Sequence, residues 1–183
     1  MTNNTTNNSP TEQTLQWLDK VIIGENFCPF ARKERLEERI RVVETHEKEQ
    51  ALLMQDLLDE MLLLENDSSV ETTLLVITQG VKDFFDYLDL VELANRLVRQ
   101  QQYEGVFQLA TFHPDYLFAD APADATSHYT NRSPYPMLHI IREESLEKAL
   151  EKFPNPENIP SRNIEHAEKL GKAFFQEILR KHD

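Results

Sequence analysis

Apolar positions recur along this chain with two periods, and segments of one period alternate with segments of the other. Leu15, Leu18, Val21 and Ile22 fall at spacings of three and four, the repeat of one helix face. Ser9-Pro10-Thr11-Glu12 ahead of them offers an N-cap, a proline at the first helical position and a Glu at N3, so a helix is expected to start there. Gly24 and the stretch Asn26 to Pro29 interrupt the pattern. Ile40 to Thr45 is rich in β-branched residues and predicts a strand; 47–65 follows as a helix with Met54, Leu57, Leu58, Met61 and Leu62 on one face. Thr72 to Thr78 holds the unbroken run Leu74-Leu75-Val76-Ile77, which suits a strand covered on both faces. Phe84, Tyr87, Leu88, Val91, Ala94 and Val98 mark a helix over 84–102, and Gly105 fits its C-terminal turn before a strand at 106–112.

From His113 to Pro136 no period is visible, and Pro114, Pro122, Pro134 and Pro136 exclude a long regular element. A loop of this length inside a compact domain is where function is to be sought. Met137 to Arg142 predicts a fourth strand, 144–152 a short helix, and Asn163 a cap for a last helix with Ile164, Ala167, Leu170, Phe174 and Ile178 inward. Strands alternating with helices of crossover length predict an α/β fold: about four strands in a mixed, largely parallel sheet flanked by helices. An α+β two-layer sandwich is the alternative. Residues 1–10 read as a disordered polar tail and 11–183 as one α/β domain.

Charge narrows the choice of partners. Nineteen basic residues against 32 acidic ones give a net charge of -13, which repels a phosphate backbone, so nucleic acid is not an expected partner. The segment from Glu44 to Glu71 is the most acidic, with Lys48 its one cation. The single cysteine, Cys28, cannot form an intrachain disulfide or a multi-cysteine metal site. Residues 1–19 carry no Lys or Arg and no apolar block, and no run approaches the roughly 18 apolar residues of a membrane span. A cytoplasmic acidic protein with no membrane partner is therefore expected.

Three stretches carry candidate chemistry. Cys28, in Asn26-Phe27-Cys28-Pro29-Phe30, would sit at a helix N-cap if a turn begins at Pro29, where backbone N–H groups and Arg32 favour a nucleophilic thiolate; the competing reading is a buried, inert thiol. His113 follows a predicted strand end, a common ligand position in open α/β sheets, and is a candidate acid/base; alternatively it only hydrogen-bonds the loop. Thr130 to Pro136 is donor-rich and stiffened by two prolines. Asn131, Arg132, Ser133 and Tyr135 are candidate substrate-binding residues, with Arg32, Arg142 and Arg162 as further donors for an anion. The competing reading pairs these arginines with the surplus carboxylates. Asp120, Asp124, His128 and His139 would permit a metal site, but no ligand spacing supports one, and His139 within its strand reads as structural. No glycine-rich phosphate loop, GxSxG elbow or HExxH pair is present.

The strings NFCPFAR, FHPDYLF and NRSPYPMLHIIRE, with IPSRNI at Ile159 to Ile164, resemble a bacterial domain-of-unknown-function family, number 1415. The resemblance runs from about Leu15 to Leu179. It implies one full-length domain and carries no reaction, cofactor or site residue. The residues alone thus leave three readings: an enzyme or binding protein for a small anionic metabolite with a Cys/His/Arg site, a non-catalytic protein-interaction module, and a metal-dependent hydrolase. Cofactor and oligomeric state are left unknown.

Overall fold

A computed structural model describes residues 8–180; most of the polar tail expected at the N-terminus lies outside them. Helix α1, Pro10–Trp17, begins with the capping box: Ser9 Oγ accepts the Glu12 N–H, and the Glu12 carboxylate accepts the Ser9 N–H. Its axis runs directly into a π-helical turn, Leu18–Ile23, which stops at Gly24. Helix α2, Ala31–Leu36, starts three residues after Cys28 with Phe30 at its N-cap. Strand β1 (Ile40–Thr45), helix α3 (Gln50–Asn66), strand β2 (Thr72–Ile77), helix α4 (Phe84–Gln100) and strand β3 (Phe107–Phe112) then alternate as the pattern predicts. Strand β4 (Met137–Arg142) leads into α5 (Glu143–Glu151).

The sheet order is β1-β2-β4-β3. Only β1 and β2 pair in parallel; β4 lies antiparallel to both β2 and β3. The expectation of a largely parallel sheet is corrected by this arrangement. Helix α3 is a crossover between parallel neighbours, as expected, whereas α4 links two strands that β4 separates. Phe112 pairs with Met137, so β3 and β4 form a hairpin whose connection is the whole segment 113–136. Hairpin closure at that range leaves no two-residue turn signature in the sequence.

Side-chain alternation sends each strand's residues to two cores. Leu75, Ile77, Leu138, Ile140 and Phe107 pack with α3 and α4 through Leu57, Met61, Tyr87 and Leu90. Leu74, Val76 and Met137 face the opposite way, against Trp17, Val21, Phe27, Ala167 and Phe175. That second cover comes from α1, the π-helical turn, and two C-terminal helices, α6 (Ile159–Leu170) and α7 (Lys172–Leu179). The single last helix capped by Asn163 is corrected to this pair. Pro160 is tolerated in the first turn of α6, and Gly171, at φ +75°, breaks the run in a conformation that glycine adopts without strain. Among the described residues no helix is long and apolar enough to cross a membrane.

Candidate functional site

The α3/α4 side of the sheet carries the first core, and the opposite side faces open space. There a cavity of about 850 Å³ lies over the strands. Strand residues Thr72, Leu74, Ala110, Phe112 and His139 line it, as do Trp17, Ile22 and Cys28 from the first helical segment and the turn after it. Leu146 and Ala149 of α5, Asn163 and Ile164 of α6, and Phe118, Pro122 and Asn131 of the long loop complete it. Small side chains at Ala31, Ala110, Ala121, Ala125 and Ala149 face it, so several elements converge without closing the space between them.

The long loop is fastened at both ring nitrogens of one buried residue. His128 Nδ1 accepts the Phe118 N–H at 3.1 Å, and Nε2 donates to the Pro122 carbonyl at 2.8 Å. Asn131 ties the same loop to the sheet, its Nδ2 donating to the Thr111 carbonyl at 3.0 Å while its own carbonyl accepts the His113 N–H at 3.2 Å. These bonds hold Phe118, Pro122 and Asn131 as a defined wall rather than a loose cover.

Of the residues singled out from sequence, Cys28, Asp120, Asn131, His139 and Arg142 line the cavity. Burial pushes the Cys28 thiol up from its ordinary pKa, with the backbone N–H groups of Phe30 and Ala31 pulling the other way and losing. His113 is buried against the α4 side, its ring 5.3 Å from Phe84 and 5.1 Å from Tyr87, with Nδ1 accepting the Asp115 N–H. Burial lowers its pKa. The arginines are held by backbone carbonyls. Arg32 donates to Ile23, Arg162 to Asn26, and Arg132 to Tyr116 with its guanidinium 4.5 Å from the Tyr129 ring centre. Arg142 reaches the carbonyls of Leu64, Asp67 and Val70, which closes the C-terminal end of α3. Ser133 is buried and donates to the Tyr135 carbonyl at 2.6 Å; Tyr135 packs against the second core. The structure thus brings Cys28, Asp120, Asn131, His139 and Arg142 to one cavity, and places His113, Arg32, Asp124, His128, Arg132, Ser133, Tyr135 and Arg162 outside its lining.

His139, read from sequence as a structural histidine within its strand, lines the cavity as well. Its strand neighbours Leu138 and Ile140 enter the first core, so His139 itself faces the cavity. Its Nε2 lies 2.7 Å from Thr72 Oγ1, and that oxygen lies 2.5 Å from the Ile140 carbonyl. A carbonyl only accepts, so the threonine hydroxyl donates to it, and His139 Nε2 must carry the proton it gives to Thr72. Nδ1 therefore holds a lone pair, which no described residue engages. Burial holds the His139 pKa down to about 4. The legible signal was a polar residue, with Thr72 beside it, on a sheet face otherwise made of Leu74, Val76 and Met137.

Charge around the cavity is negative. Glu34 and Glu71 share Arg39, while Asp120 and Glu168 are exposed. Arg142 is the one cation among the described lining residues, and its guanidinium belongs to α3. Among the described residues no three His, Cys, Asp or Glu side chains gather as a metal site. Residues 9–177 match the family model described as a protein of unknown function, DUF1415. No curated protein and no solved structure matches the chain.

Proposed function

Because the chain belongs to the DUF1415 family, whose description assigns no activity, we propose a function from the cavity alone: the protein binds an uncharged, largely apolar small molecule between its sheet and its long loop. The observation that carries this reading is the cavity itself. Its volume of about 850 Å³ falls in the range of about 300–1,000 Å³ common to small-molecule sites. Its lining joins Trp17, Phe112, Phe118 and Leu146 to a few polar atoms, the usual division between an apolar body and groups that orient it.

Electrostatics favours an uncharged ligand over an anionic metabolite. An entering carboxylate or phosphate would meet Asp120 and Glu168 first and no unengaged guanidinium afterwards. The neutral fluorophore N-phenyl-1-naphthylamine is a direct probe. Titration is expected to give saturable enhancement at one site per chain with micromolar affinity. Ala149→Phe, which adds a ring from α5 into the cavity, is expected to weaken it at least tenfold without lowering the melting temperature. Enhancement that does not saturate, or that Ala149→Phe leaves unchanged, would overturn the reading.

A further inference from the structure

We infer that His139 Nδ1 is the polar anchor of this cavity, and that the ligand class is therefore an apolar molecule carrying an O–H or N–H donor, such as a phenol, alcohol or amide. The inference rests on the proposed binding function and deepens it. Three observations carry it. The imidazole projects from the sheet among Leu74, Phe112 and Ile141, and the other polar strand side chains of the lining, Thr72 and Arg142, are both engaged, Arg142 by the carbonyls of Leu64, Asp67 and Val70. The Thr72 hydroxyl gives its only proton to the Ile140 carbonyl and accepts from Nε2, so it fixes the ring and has no proton to offer a ligand. The remaining nitrogen can only accept. A ring fixed in one tautomer by a partner on its far nitrogen is the arrangement that orients a histidine toward a ligand.

The same geometry separates an acceptor from a general base. A proton taken by Nδ1 would leave an imidazolium whose other N–H leads through Thr72 to a neutral carbonyl, with no carboxylate in the chain to stabilise it. Burial among apolar residues lowers the proton affinity further. His139 thus accepts a hydrogen bond at neutral pH and does not take the proton. A ligand without a donor leaves this nitrogen desolvated and unpaired, and that penalty sets the expected discrimination.

The test compares two ligands of one shape, 2-naphthol and 2-methylnaphthalene, each displacing N-phenyl-1-naphthylamine. In His139→Phe the affinity ratio of naphthol to methylnaphthalene is expected to fall about tenfold from its value in the unaltered protein, whatever the change in cavity shape does to both. A second measurement avoids any folding defect. In unaltered protein labelled with ¹⁵N-histidine, the His139 Nδ1 signal is expected to be that of an unprotonated nitrogen at pH 7 and to move on adding 2-naphthol but not 2-methylnaphthalene. A ratio unchanged by the substitution, or an Nδ1 signal that is protonated or indifferent to the naphthol, overturns the anchor while the cavity reading stands. If N-phenyl-1-naphthylamine finds no saturable site at all, the binding function itself is what has failed.

Discussion

Cys28 illustrates how burial decides the chemistry of a single residue. Cys28 packs against the second core, to which the neighbouring Phe27 belongs. Helix α2 begins at Ala31 with Phe30 as its N-cap, so Cys28 is not the cap residue; the Phe30 and Ala31 N–H groups still favour its anion, and burial outweighs them. Desolvation disfavours the thiolate, so at any pH below its raised pKa the reactive fraction is smaller than that of a free thiol. The expected outcome is slow modification by a disulfide reagent at pH 7.5, relative to glutathione, with the reactivity curve displaced to higher pH. N-phenyl-1-naphthylamine is expected to slow it further, since Cys28 lines the cavity. Stopped-flow absorbance checks both; a rate equal to that of glutathione would contradict the burial argument. The sequence marked this cysteine as a candidate, and it does line the cavity, but its protonation was not legible there. Protonation depends on Phe30, Ala31 and the precise start of α2, and helix starts shift by a residue or two without changing the pattern that predicts them. His139 shows the same limit from the other side: strand alternation gave its face, while the partner that fixes its tautomer sits 67 residues away.

At the scale of elements, the π-helical turn Leu18–Ile23 shapes one wall of the cavity. It follows α1 without a break and contributes Leu18 and Ile22 to the lining, and the Ile22 carbonyl then accepts the Cys28 N–H at 3.2 Å. The turn is closed by Gly24, where an added Cβ would lie 2.4 Å from the Lys20 carbonyl oxygen. Backbone cannot yield that much without moving the turn, so Gly24→Ala should cost about 1–3 kcal/mol. Thermal denaturation is expected to show a loss of several degrees, and probe binding should weaken in the same variant because Ile22 and Cys28 move with the turn. Full stability in Gly24→Ala would show that the wall adjusts freely. In the sequence this segment reads as an uninterrupted amphipathic helix up to Gly24. The apolar spacing of Leu15, Leu18, Val21 and Ile22 fits both an α-helix and a widened turn, and nothing local distinguishes them. The capping box at Ser9, by contrast, is a matter of four adjacent residues and is formed as read.

For the molecule as a whole, the order of elements was legible but the direction of one strand was not. Each strand declared itself through a short apolar run, and α3 and α4 through their period; where β4 enters the sheet depends on contacts across the 113–136 connection, which no local pattern encodes. Its insertion between β2 and β3 is what sets His139 beside Thr72 and places the long loop next to the sheet face left open. Net charge acts at this scale too. At -13 the molecule carries a negative field that extends about 10 Å into solvent at 0.1 M salt, and Asp120 and Glu168 bring that field to the cavity. N-phenyl-1-naphthylamine and its 8-sulfonate share one apolar body, so their difference in affinity isolates the charge. The sulfonate is expected to bind at least tenfold more weakly at low salt, because desolvating an anion without a cationic partner adds to the repulsion. Raising the salt to 1 M shortens screening to about 3 Å and should remove the repulsive part while leaving the desolvation part. Fluorescence titration at the two salt concentrations separates them. Tighter binding of the sulfonate at either one would mean that a cation does reach the ligand, and would return Arg132 and Arg162 to consideration as its source.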